Sequence, residues 1–225
     1  MNYWRQLAIK IHNHIKWHKI LSQNRWMFPS QIYLKYGPDS TFGGRKVLNI
    51  GCGKCTYRSP NVTNLDGHEG LGVNVVWDLS KTPLPFEANT FDFIIANHVM
   101  EHIPNWYECF KEMARILRPG GTIEIWVPPV SSDAAFTYTD HINRIGQASF
   151  VGVGTKHARS GSNLAAEQDY KQNGPLADLK LVRYEERPIS TWWTILAPQS
   201  VISWLSWHLR NIISEEGYTF KKVEV

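Results

Sequence analysis

An α/β architecture built on a parallel sheet is predicted by three observations. Between residues 47 and 127, short apolar runs alternate with polar or helical connections, the pattern that builds a parallel sheet with crossovers. The first run, Val47-Leu-Asn-Ile-Gly-Cys-Gly53, closes in a Gly-x-Gly turn, as a buried strand does when it hands over to a ligand-binding loop that leaves no room for a Cβ. The next two runs each end in an acid, Asp66 and Asp78. With 225 residues the chain is long enough for one substantial core, and for one domain rather than two.

The elements come in order along the chain. Residues 1–28 are expected to form a basic, Trp-bearing helix, with Trp4, Leu7, Ala8, Ile11 and Ile15 at helical spacing. This helix dominates an N-terminal extension, 1–42, set before a main domain of 43–225. Pro29, Gly37-Pro38 and Gly43-Gly44 punctuate the approach to the first strand. Asn64-Leu-Asp-Gly67 ends a second strand, and Val73-Asn-Val-Val-Trp-Asp-Leu79 is a third. Phe91 to His102 reads as a fourth strand running into a helix. A helix from about Trp106 to Leu117 presents Trp106, Phe110, Met113, Ala114 and Leu117 to the core. Arg118-Pro-Gly-Gly121 should end it before a fifth strand. Residues 130–176 are rich in Ser, Gly, Asn and Ala and too long for an ordinary connection, so a substrate-side insertion or lid is expected within 130–190. A sixth strand is expected over 179–185, a helix over 198–214 burying Val201, Ile202, Leu205, Leu209 and Ile212, and a last strand over 217–225.

The net charge of +4 is too weak to imply nucleic acid by itself. It is unevenly spread: six Lys or Arg precede the first acid, Asp39. A basic helix over 1–28 is suited to packing over the sheet edge, or to peripheral contact with an anionic membrane. Three cysteines without a secretory leader suggest free thiols in a reducing compartment, and a cytoplasmic location is expected, with the inner membrane face as an alternative. Cys52-Gly-Lys-Cys55 lacks a second Cys or His pair at ligand spacing, so no metal is expected there. The segment 192–213 is too interrupted by polar residues to span a bilayer.

Taken in series, the Gly51-Cys-Gly53 turn, Asp66, Asp78, the Phe91–His102 run and the Arg118–Val127 run resemble the class I S-adenosylmethionine-dependent methyltransferases, in particular the type 11 group. The resemblance covers 45–128 well and the final segment moderately. It implies a Rossmann-like three-layer α/β/α sandwich with a mostly parallel seven-stranded sheet and an antiparallel last strand. It also implies S-adenosyl-L-methionine as cofactor. Asn49, Gly51, Cys52 and Gly53 would wrap its methionine end, and Asp66, followed by Gly67, would take the ribose hydroxyls. Asp78 and Leu79 would meet the adenine, and Asn97 and His98 would lie beneath the sulfonium. Two departures stand out. Twelve residues separate Gly53 from Asp66, and Thr56 occupies the place of a third glycine, so the first crossover helix is expected to be shortened or lost. A subgroup linked to surface-polysaccharide synthesis resembles the chain in this abbreviation and in its Trp77–Leu79 and Leu84–Phe86 patterns.

Three histidines are candidate general bases, because a neutral imidazole accepts a proton near physiological pH. His98 and His102 are expected on one helical face, and His141 lies in Thr139-Asp-His-Ile-Asn143, a segment resembling the border of the family's acceptor pocket. Glu101 stands between the first two, but the His-Glu-x-x-His order of zinc enzymes is absent, so no metal is expected here either. The leading expectation is methyl transfer, at oxygen, to a small-molecule, sugar or lipid-linked glycan acceptor. RNA or protein methylation and a non-catalytic partner subunit are the alternatives. Nucleic acid is disfavoured because neither an Asp/Asn-Pro-Pro-Tyr/Phe motif after the fourth strand nor a Pro-Cys nucleophile is present.

Overall fold

The computed structural model describes residues 35–150, 178–188, 197–209, 211 and 213–223. Seven strands form a single sheet: β1 (Val47–Ile50), β2 (Val62–Asp66), β3 (Val75–Val76), β4 (Phe91–Asn97), β5 (Leu117–Val127), β6 (Leu179–Pro188) and β7 (Ile213–Lys222). Their order is β3-β2-β1-β4-β5-β7-β6. Neighbours among the first five are parallel, and β7 runs antiparallel to both β5 and β6. The Rossmann-like, mostly parallel seven-stranded sheet with an antiparallel last strand is therefore as expected.

All four residues of β1 are buried, as befits a central parallel strand covered on both faces. One face carries Leu48, Ile50, Leu65, Ile94, Ala96, Ile123 and Ile125 in a cluster with Phe110, Met113 and Ala114 of helix α1 (Trp106–Ile116). The other face carries Val47, Val62, Phe93, Ile95 and Trp126 with Phe42, Tyr57 and Tyr36. Alternate residues of each strand go to opposite faces, which is the period-two consequence of the pleat. Glu124 projects onto the second face, where it accepts hydrogen bonds from Lys35 Nζ, Tyr36 Oη and Trp126 Nε1 at 2.9, 2.7 and 2.8 Å. Burial pushes its carboxyl up, but those donors outweigh burial and hold it below the ordinary carboxylate value.

Between β1 and β2 the described chain has no helix, in line with the shortened crossover. A buried amide takes over. Asn64 Nδ2 donates to Tyr57 O (2.8 Å) and Gly72 O (3.0 Å), and its Oδ1 accepts from Tyr57 N (3.0 Å) and Asn49 Nδ2 (3.0 Å). Asn49 donates again to Cys55 O at 2.9 Å. Every polar atom of the Asn64 side chain is satisfied, so burying it carries no orphan penalty.

Three expectations are corrected. Arg118-Pro-Gly-Gly121 lies inside β5: α1 already stops at Ile116, and the register jumps from Phe91↔Leu117 to Phe93↔Thr122. The segment is a bulge, with Gly120 at φ +77°. The helix over 198–214 is shorter, running Gln199–His208. It buries Ile202 but leaves Val201 and Leu209 44% and 52% exposed and Leu205 half-buried. The chain after β4 does not continue into a helix: Met100–His102 is a single 3-10 turn. The basic helix of 1–28, and 151–177 and 189–190 of the expected lid, lie outside the described residues.

Candidate active site

The sheet's strand order reverses between β1 and β4, and in open α/β sheets ligands bind outside the carboxyl ends of the strands at such a switch point. Two turns meet there. The first comes after β1. Gly51 and Gly53 adopt φ +60° and +50°, and a Cβ on Gly51 would stand 2.2 Å from Val99 Cγ2. Gly51 is thus demanded by both backbone conformation and close approach to the second turn. Cys52 N–H donates to Leu65 O (3.0 Å), and Cys55 N–H to Cys52 O (2.8 Å). The Cys52 thiol is buried, and burial followed by the nearby Asp66 charge pushes it up to about 12.

Asp66 closes this turn from the end of β2. Its Oδ2 accepts from Gly53 N–H at 2.7 Å and its Oδ1 from His68 N–H at 3.1 Å. Its side chain keeps 18% exposure, and Gly67 beside it is exposed. Gly53 is exposed with nothing within 4 Å of a Cβ position, so the turn presents open backbone. Asn49 lies beneath the turn instead of in it, its amide committed to Cys55 and Asn64. Asp78 accepts from Ser80 N–H (2.9 Å) and Ser80 Oγ (2.7 Å) at the surface, and these bonds lower its carboxyl from the ordinary value. Leu79 is 7% exposed and packs in the core.

The second turn comes after β4. Asn97 Oδ1 is buried without a hydrogen-bond partner, an acceptor at the end of the central strand. His98 adopts φ +49°, with its N–H held by Trp126 O at 2.9 Å. That left-handed conformation ends the strand and sets the ring between two carboxylates. Nδ1 lies 3.2 Å from Glu101 Oε1, and Nε2 lies 2.9 Å from Glu215 Oε1 on β7. Burial alone would lower the imidazole, but the bonds to Glu101 and Glu215 push it up to about 10. His98 is therefore a cation at neutral pH. The expectation that it acts as a base gives way to a lasting positive charge beneath the cleft.

His102 is not on a common helical face with His98, since the 3-10 turn separates them. Its Nδ1 lies 3.0 Å from Asp140 O and 3.3 Å from Asp140 Oδ2. The carbonyl can only accept, so Nδ1 carries a proton. His141 meets His102 edge to face at 4.7 Å. The structure thus unites Gly51, Cys52, Gly53 and Asp66 in one turn and His98, His102 and His141 around the other, with Asp78 apart at the surface. Sequence reasoning missed Glu215, whose only trace was the Glu-Glu-Gly-Tyr run, and it gave Glu101 no part.

Residues 48–125 match the family model described as a methyltransferase domain, type 11. The match covers residues 48–125 alone, about a third of the chain. The domain is similar to cycloartenol-C-24-methyltransferase of Arabidopsis thaliana, 32% identical over 34% of this chain and 29% of the plant protein. It is similar too to the methyltransferase GfsG of Streptomyces halstedii, 34% identical over 36% of this chain and 37% of that protein. The match therefore spans about a third of these relatives' length. A solved S-adenosylmethionine-dependent methyltransferase of Archaeoglobus fulgidus shares the fold at 16% identity, with a TM-score of 0.52 over 98% of this chain and 100% of that one. The methyltransferase match implies S-adenosylmethionine as the cofactor. The residues present fit it: an exposed glycine with free space at its Cβ position, Gly53, an acid at the end of β2, Asp66, and a buried acceptor without a donor, Asn97 Oδ1.

Proposed function

We propose that the chain transfers the methyl group of S-adenosylmethionine to a hydroxyl of a small-molecule, sugar or lipid-linked glycan acceptor. The observation that carries this reading is the Gly51–Gly53 turn tied to the Asp66 carboxylate at the sheet's switch point. When bound, the cofactor would supply a sulfonium methyl for in-line transfer to the hydroxyl oxygen, leaving the thioether S-adenosylhomocysteine and releasing the hydroxyl proton to solvent. The chain's part is positioning and exclusion of water. Asp66 accepts from the ribose hydroxyls, and Gly51 and Gly53 wrap the methionine end. Asn97 Oδ1 accepts from the methionine ammonium. The His98 cation, neutralised by Glu101 and Glu215, fixes the floor of the cleft.

The acceptor class rests on the short first crossover and on the small-molecule character of a relative named for cycloartenol. The site sits in the cytoplasm in this reading, and residues 1–28 bring it to the inner membrane face when the acceptor is lipid-linked. Isothermal titration with S-adenosylmethionine and S-adenosylhomocysteine tests the core of the proposal. Micromolar binding by the wild type, weakened at least about tenfold in Asp66→Ala, is expected. An unaltered affinity in Asp66→Ala, or no binding by the wild type, would overturn it. Screening of sugar and lipid acceptors for methyl incorporation then tests the acceptor class.

A further inference from the structure

The turn after β4 carries a group of side chains that cofactor binding leaves unused. One carboxylate oxygen of Glu101 and one ring nitrogen each from His102 and His141 lie within 4.8 Å of one another. Glu101 is 2% exposed, and its Oε2 is buried with no hydrogen-bond partner; His141 Nδ1 is buried and unpartnered as well. A buried acceptor without a donor is costly, and more so when it is charged. Two such atoms in one triad point to a ligand that accepts their lone pairs.

The surroundings suit a cation. Glu101 Oε1 is held by His98 Nδ1 at 3.2 Å, and His102 Nδ1 by Asp140 O at 3.0 Å. Metal-ligating groups are oriented by outer partners of this kind.

We propose that Glu101, His102 and His141 bind a divalent transition cation, with zinc the ion that this ligand set suits best. Two imidazoles and one carboxylate favour zinc and its first-row neighbours over magnesium or calcium, which want oxygen ligands. Three protein ligands leave a position open, as in catalytic zinc sites. Bonds of about 2.0–2.2 Å require the triad to contract from its present spread. His141 can supply that movement, because it lies in the irregular stretch between Thr137 and Gln147. The site stands independently of methyl transfer. Its role rests on that reading: a hydroxyl coordinated at the open position would lose its proton to solvent more easily, beside the turn that Gly51 and Val99 join.

The test uses tag-free, chelator-stripped full chain without cofactor, so that its failure is distinct from failure of S-adenosylmethionine binding. Zinc is titrated calorimetrically and cobalt by its visible ligand-field bands, on wild type, Glu101→Gln, His141→Ala and His208→Ala. His208 is an exposed histidine stacked on Trp204 and is not one of the triad. The expected result is one equivalent in the wild type and in His208→Ala, with affinity falling at least about tenfold in His141→Ala and Glu101→Gln. Circular dichroism verifies that the variants are folded, and His141→Ala serves if Glu101→Gln is not. No binding by the wild type, or equal affinity in folded His141→Ala, would overturn the proposal.

Discussion

Replacing Gly51 with alanine should damage the domain through two separable terms. The φ of +60° costs an L-residue roughly 1–2 kcal/mol. The new Cβ would also lie 2.2 Å from Val99 Cγ2 and 2.6 Å from Val99 Cβ, and such overpacking adds about 1–3 kcal/mol. The sum, about 2–5 kcal/mol, is a large part of the 5–15 kcal/mol by which domains of ordinary size are stable, roughly. Gly53 is the internal control. Its φ is similar at +50°, but nothing lies within 4 Å of its Cβ position, so Gly53→Ala should lose only the strain term. A Val99→Gly background removes the clash and should bring the Gly51→Ala penalty down to that of Gly53→Ala. Val99→Ala should not, because it keeps the 2.6 Å contact. Urea unfolding of these chains, analysed as double-mutant cycles, measures the coupling. Equal penalties for Gly51→Ala and Gly53→Ala would refute the close-approach argument.

His98, raised from 6.5 to about 10, binds its proton more tightly folded than unfolded. Its contribution is full below pH 6.5 and is lost as pH rises through about 10. In chelator, wild-type stability should thus fall across that window by a margin on the order of a few kcal/mol, and the fall should shrink in Glu215→Gln. A wild type as stable at the top of the window as at its foot would contradict the ion cluster. Burial pushes both Cys52 and Cys109 up to about 12, so a disulfide reagent at neutral pH should label the half-buried Cys55 first. Peptide mapping of the modified chain checks this. Full-length chain should bind anionic vesicles and lose that binding when residues 1–28 are deleted; vesicle sedimentation decides, and equal binding by the truncated chain would remove the membrane role.

The strands are legible in the sequence because burial on two faces writes itself as unbroken apolar runs, and Val47–Ile50 and Phe91–Asn97 can be read directly. The acids ending β2 and the third run are legible for a like reason, since a strand end must meet solvent or ligand. The turn beyond β4 is not legible in this way. Nothing in the identity of His98 announces a φ of +49°, and helical spacing puts His98 and His102 together when a 3-10 turn keeps them apart. Glu215 lies 117 residues from His98, and only the pairing of β5 with β7 brings it near. Arg118–Gly121 reads as a helix end because proline and glycine stop helices more often than they bulge strands. Asn49 reads as a ligand contact because it flanks the glycine turn, but its buried amide serves the chain itself.

The Asn64 amide has a consequence for how this sequence can vary over generations. A helix between β1 and β2 would distribute its hydrogen bonds over many residues and tolerate exchange at most of them. Here one side chain holds Asn49, Tyr57 and Gly72, while Lys54, Arg58 and Pro60 stand exposed around it. Constraint is therefore concentrated at position 64, which admits no near neighbour. Aspartate would set a charge against two carbonyls, and leucine would strand four polar partners. A connection held in this way depends on a single residue, where a helix would spread the load over many.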